Sequence, residues 1–205
     1  MPPVDFGQLP FTVRPDLTPY LIHLTRGTEE RDEYSAFDNL VSILKTGRIW
    51  GSTRRGFIKG ARPAACFMDV PFIALKDICT KGNEGRYEPY GVVVTKKLAY
   101  KKGARPVLYL SNAEVEELNV PPGQLWRVVR FEVSDAGWIS WLHEREWRTP
   151  DEFSLPKAIR AVVVKTHADA MALQAMLNDA GEGEFKCIPA SILPLEIVCQ
   201  GLNRE

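Results

Sequence analysis

Apolar positions along this chain recur with two periods, and the switches between them mark its elements. Residues 20–25, 64–68, 90–95 and 158–165 are short apolar runs bounded by polar or turn residues, the pattern of buried strands. Residues 48–50, 105–110, 125–133 and 137–147 read as further strands. Residues 35–45 switch to helical spacing, with Phe37, Leu40, Val41 and Leu44 on one face. Ser35 or Asp38 caps that helix, and Gly47 ends it in the left-handed conformation. A short helix is expected between Pro71 and Cys79. Residues 111–118 open with a serine cap and an acidic first turn, and residues 168–180 form a helix capped by Thr166. Strands and helices alternate irregularly. That order predicts an α+β fold, a mixed and mostly antiparallel sheet with peripheral helices, and not a doubly wound parallel sheet.

Length sets the scale. A chain of 205 residues suffices for one domain with a full core. The expected organisation is a proline-rich extended arm over 1–19, a core over 20–166, and a C-terminal helix with strands over 167–205. Lys+Arg and Asp+Glu are both 26, so net charge gives no reason to expect nucleic-acid or membrane binding. Cys66, Cys79, Cys187 and Cys199 include no C-x-x-C pair, and the three histidines complete no zinc pattern. Cys66 and Cys187 sit in apolar runs and read as buried thiols. The start of the chain lacks the basic and apolar regions of a signal peptide, and no stretch is apolar enough for a membrane span. The expectation from these features is a cytoplasmic protein with reduced cysteines.

The chemistry-bearing segment is Trp141-Leu-His-Glu-Arg-Glu-Trp-Arg148. If it is extended, Leu142, Glu144, Glu146 and Arg148 share one face, and Trp141, His143, Arg145 and Trp147 share the other. Two carboxylates at that spacing lie roughly 6–7 Å apart. In a low dielectric such a pair does not ionise freely, which makes it an acid/base arrangement. The bland reading is a salt-bridged strand edge, but the flanking tryptophans imply burial, and buried carboxylates need partners. His23, in an apolar strand, reads as a core imidazole or as a ligand contact. The loop over 51–62 carries Arg54, Arg55, Lys59 and Arg62 and no acid, so it suits a phosphate or plain solvent. Lys96, Lys97, Lys101, Lys102 and Arg105 form a second basic cluster. No serine or cysteine nucleophile motif is present.

Several segments occur in a telling order: His23-Leu-Thr25, Asn39-Leu40, Ile43-Leu44-x-x-Gly47-x-Ile49, Cys66-Phe-Met-Asp-Val-Pro71, Tyr90-Gly91, Gly103-Ala-Arg-Pro-Val-x-Tyr109 and Glu144-Arg-Glu-Trp-Arg148. The set resembles the AbiGi-type abortive-infection proteins, a group of phage-resistance factors. Its opening, His-x-Thr followed by Asn-Leu-x-x-Ile-Leu-x-x-Gly, also resembles the DarT-like ADP-ribosyltransferases. That resemblance implies an ADP-ribosyltransferase-like fold with NAD as substrate and no metal. It implies Glu146 as the catalytic carboxylate and Glu144 on the acceptor side. It further implies His23 and Thr25 at the ribose, Tyr90 on the middle strand, and Arg54 or Arg55 at the pyrophosphate. The acceptor would be a nucleic acid or a protein. The abortive-infection resemblance equally implies a non-catalytic antitoxin bound to a cognate toxin. A third reading is a nucleic-acid-processing enzyme in which Glu144 and Glu146 hold a divalent metal.

Overall fold

A computed structural model describes residues 16–28, 34–52, 58–79, 87–135 and 137–199. Most of the expected N-terminal arm lies outside these residues. In chain order the first half contains β1 (Tyr20–Leu24), α1 (Ala36–Thr46), β2 (Arg48–Trp50), β3 (Ala64–Phe67), α2 (Leu75–Ile78), β4 (Gly91–Thr95), α3 (Lys96–Lys101), β5 (Arg105–Pro106), β6 (Leu108–Leu110) and α4 (Asn112–Glu117). The second half contains β7 (Val128–Arg130), β8 (Glu132–Ser134), β9 (Gly137–Ile139), β10 (Trp147–Pro150), β11 (Glu152–Ser154), β12 (Ala158–Ile159), β13 (Ala161–Val164), α5 (His167–Asp179), β14 (Ile188–Pro189), β15 (Ile192–Pro194) and α6 (Leu195–Val198).

The main sheet has the order β1-β4-β13-β15, antiparallel except for the parallel β13–β15 pair. A second sheet, β3-β10-β5, is antiparallel throughout. Several two-stranded ribbons complete the mixed, mostly antiparallel α+β architecture that the hydrophobic pattern predicts.

The main sheet is covered on both faces. Leu21, Val92, Val94, Val162 and Val164 point to one side and pack with Leu40 and Leu44 of α1, Phe67, Phe153 and Leu173. Ile22, Val93, Ala161 and Val163 point to the other and meet Met68, Val70, Leu75 and Leu195. The period of two along each strand divides the valines between the two cores. Coverage of both faces explains why β4 and β13 are almost continuously apolar.

Local signals held where they were strong. Ser35 caps α1 in a reciprocal box with Asp38, and Gly47 closes it at φ 66°. Ser111 with Glu114 and Thr166 with Asp169 form the same box at α4 and α5. Other expectations need correction. Residues 96–101, to which the apolar pattern assigned no element, form α3, because the Thr95 side chain accepts the Leu98 amide and opens a helix. The single strand expected over 125–133 is a 3-10 turn, Pro122–Arg127, followed by β7 and β8. The strand expected over 137–147 ends at Ile139.

Two edges bring the sheets together. The Ile22 amide donates to the Met68 carbonyl at 3.0 Å, and the Met68 amide returns a bond to Ile22 at 2.7 Å. This bridge joins β1 to the end of β3 and leaves a seam between the sheets. Gly91 permits the close approach of β4 to β1 there, since a Cβ would stand 2.2 Å from the His23 carbonyl oxygen.

Candidate active site

The seam opens into a cavity of about 500 Å³, within the range of small-molecule sites. His23 and Thr25 reach it from β1 and its end, and Cys66 and Phe67 from β3. Asn39, Ser42 and Trp50 reach it from α1 and β2. Trp141, Glu144, Glu146 and Arg148 reach it from the segment that leads into β10.

That segment is not extended as its alternation implied. Leu142–Glu144 form a 3-10 turn, and Arg145 follows at φ 44°, ψ 52°. A left-handed non-glycine residue costs roughly 1–2 kcal/mol. Here the guanidinium contributes in return, with Nε donating to the Asp69 carbonyl at 2.7 Å and Nη2 to the Asp16 carbonyl at 2.5 Å. Glu144 and Glu146 still line the same cavity and are 4% and 7% exposed, so both carboxylates are shielded from water. Trp141, which an extended strand would put on the opposite face, lines the cavity with them.

The two carboxylates have different partners. Glu144 Oε1 accepts the Tyr87 hydroxyl at 2.8 Å. Glu146 is held side-on by Arg148, with Nε to Oε1 at 2.8 Å and Nη2 to Oε2 at 3.0 Å. The third guanidinium nitrogen donates to the carbonyls of Trp126 and Val128 at 3.0 and 3.2 Å. Burial works to lower the Arg148 guanidinium, but Glu146 beside it outweighs this and leaves it above its usual range. Glu146 is thus fixed in direction, and a carboxylate already held in place can oppose a developing cation without reorganising. Burial, with the Glu146 carboxylate beside it, pushes the Cys66 thiol well above its usual range. Cys66 is therefore a neutral wall residue, half-buried and not fully buried as its apolar flanks suggested.

His23 Nδ1 lies 2.7 Å from the Cys66 carbonyl, which only accepts, so the ring proton sits on Nδ1. Burial lowers the imidazole below its ordinary 6.5, with the Cys66 carbonyl opposing. The ring is then neutral at pH 7 and keeps Nε2 as an acceptor. Because the folded value is depressed, stability present above about pH 6.5 is lost as pH falls through the folded value. The thermal midpoint should decline in that window, and His23→Gln should flatten the decline. A wild-type midpoint that does not change there would contradict a neutral His23 ring.

The remaining expected residues divide. Thr25 lines the cavity, but its hydroxyl is shared between the carbonyls of Ala36 and Tyr90, at 2.8 and 3.1 Å. Its geometric work is to tie β1 to α1. Tyr90 is not among the described residues that line the cavity. Its hydroxyl donates to Asp169 at 3.0 Å, its ring packs edge-on against Phe37, and burial pushes its phenol above the usual range. Arg54 and Arg55 lie outside the described residues. Arg26, which sequence reasoning missed, is an exposed cation on the cavity wall, where its carbonyl accepts from Asn39. Arg148 was legible through its spacing, two residues from Glu146 on one strand face, whereas Tyr87 and Arg26 had no local signal. Among the described residues no group of three or more His, Cys, Asp or Glu side chains could hold a metal ion. Among them, too, no helix is long and apolar enough to cross a membrane.

No family model matches the chain, and no curated protein does. Among solved structures the fold is similar to that of the Thermus sp. 2.9 DarT in complex with NAD+, at a TM-score of 0.46 and 12% identity. The match covers 87% of this chain and 96% of that one.

Proposed function

We propose that the protein cleaves NAD at the nicotinamide glycosidic bond and transfers ADP-ribose to an acceptor. The observation that carries this reading is the meeting of His23 with Glu144 and Glu146 in one cavity, although they lie far apart in the chain. A neutral imidazole offers Nε2 to a ribose hydroxyl without adding charge near the sugar. As the C–N bond breaks, its electron pair leaves with nicotinamide and positive charge grows on the ribose. A shielded carboxylate opposes that charge electrostatically. The Glu146–Arg148 pair supplies a carboxylate that is already aimed. Glu144 stands on the acceptor side and takes the proton of the attacking group, with Tyr87 orienting it. Arg26, exposed on the cavity wall, would meet a phosphate.

The acceptor in this reading is a nucleic acid or a protein, and the setting is phage defence. Trp50, 64% exposed at the cavity and with Arg48 5.7 Å from its ring centre, favours a nucleic acid, because bases stack on such a surface.

The test is nicotinamide release from NAD, with and without single-stranded DNA, RNA and protein acceptors. Glu144→Ala is expected to suppress transfer while sparing hydrolysis by water. Absence of nicotinamide release with every acceptor, together with no NAD-induced rise in thermal midpoint, would sink the proposal.

A further inference from the structure

Asp69 grips the carboxylate-bearing segment at three of its residues. Its amide donates to the Glu144 carbonyl at 3.2 Å, and its carbonyl accepts Arg145 Nε at 2.7 Å. Its Oδ2 accepts the Trp147 indole N–H at 3.3 Å. Its other oxygen, Oδ1, is 2.8 Å from Lys96 Nζ. Both side chains of that ion pair are largely shielded, at 12% and 14% exposure. Lys96 opens α3 directly after β4, and β4 is paired along its length with β1, which carries His23.

From this geometry we infer that Asp69 is the positioning residue of the site, locking the turn that aims Glu144 and Glu146 to the sheet that carries His23. The inference rests on the NAD-cleaving reading for its kinetic consequence, but its geometry stands independently. Asp69 follows β3, and its bonds to the segment run to the Glu144 carbonyl, the Arg145 guanidinium and the Trp147 indole. The turn it holds contains the left-handed Arg145, a conformation that persists only where its surroundings over-determine it. The Tyr109 hydroxyl accepts the Glu146 amide at 3.0 Å from the other side. The Val107 amide donates to the Glu146 carbonyl at 3.0 Å, so Glu146 is fixed on that side as well. Through Lys96, the residue that directly follows β4, Asp69 also ties the turn to the end of a main-sheet strand. Rigid placement matters here because a displacement of about 1 Å can cost about a hundredfold in rate.

The experiment compares Asp69→Ala and Asp69→Asn with the wild-type chain by steady-state nicotinamide release and by hydrogen exchange of residues 142–150. Asp69→Ala is expected to lower kcat about 10- to 100-fold with KM for NAD changed by less than about threefold. Exchange over 142–150 should quicken while residues 161–164 keep their protection. Asp69→Asn keeps one oxygen for the Trp147 indole but turns its amide NH2 toward the Lys96 ammonium, so it breaks the tie to Lys96 and keeps the others; its rate and its exchange should fall between those of Asp69→Ala and the wild-type chain. A fall in kcat/KM carried by KM alone, or unchanged exchange over 142–150, overturns the inference. If Asp69→Ala does not fold, Asp69→Asn decides: unchanged exchange over 142–150 overturns the inference, and quickened exchange confined to that segment supports it. If the wild-type chain releases no nicotinamide, the NAD reading fails by itself, and the exchange data still decide whether Asp69 is the clamp.

Discussion

Nicotinamide release by Glu146→Gln is expected to fall about a hundredfold to a thousandfold, the usual effect of removing one preorganised electrostatic partner of a charged transition state. Glutamine keeps the shape and an oxygen that accepts from Arg148. It loses the negative charge that opposes the developing ribose cation. Affinity for NAD, read by calorimetry, should change only a few-fold, because the ground-state sugar carries little charge. The substitution also leaves a cation facing a neutral amide in a buried place, so the protein must be shown to keep its native near-UV spectrum. A folded variant that retains more than about a third of the wild-type rate would exclude Glu146 as the stabilising carboxylate. Glu144, on the same cavity, would then be the group to test.

The second large effect is on stability. Arg148 is 2% exposed and spends its donors on Glu146 and on the carbonyls of Trp126 and Val128. Arg148→Met should cost about 3–5 kcal/mol in urea unfolding, since it leaves a carboxylate buried without its cation. The double variant Glu146→Leu with Arg148→Met should recover much of that loss, because both charges go together and apolar side chains of similar size replace them. The comparison separates the cost of breaking the pair from the contribution of the pair itself. If the single and double variants are equally stable, the Glu146–Arg148 contact is not what holds the cavity wall. The double variant should remain inactive whatever its stability, because the aimed carboxylate is gone.

Local pattern determined much of this molecule. The apolar runs of β1, β3, β4 and β13, the capped helices α1 and α5, and the mixed α+β arrangement follow from periodicity and caps, which are interactions between near neighbours. The shared strand face of Glu146 and Arg148 also follows from their i, i+2 spacing, although that spacing did not mark them as a pair. The fold was less legible where the chain breaks into short pieces. Residues 105–110 become β5 and β6 around Val107, whose amide donates to the Glu146 carbonyl. Residues 142–145 turn because Arg145 finds carbonyl partners at Asp69 and Asp16, and no pattern within the segment announces partners so distant.

The Trp141 to Arg148 segment shows the division most directly. Its residue types alone marked two carboxylates in an aromatic setting, and only the family resemblance joined them to His23 and Thr25 as a candidate site. Only the tertiary structure decided that the segment is a left-handed turn running into a strand, that Trp141 lies on the cavity side, and that Tyr90 belongs elsewhere while Tyr87 and Arg26 belong here. The reason is physical. Periodicity reports which face of an element is buried. The identity of what lies across a cavity depends on how two sheet edges meet, and that is fixed by the Ile22–Met68 bridge and the ties of Asp69, which join residues far apart in the chain.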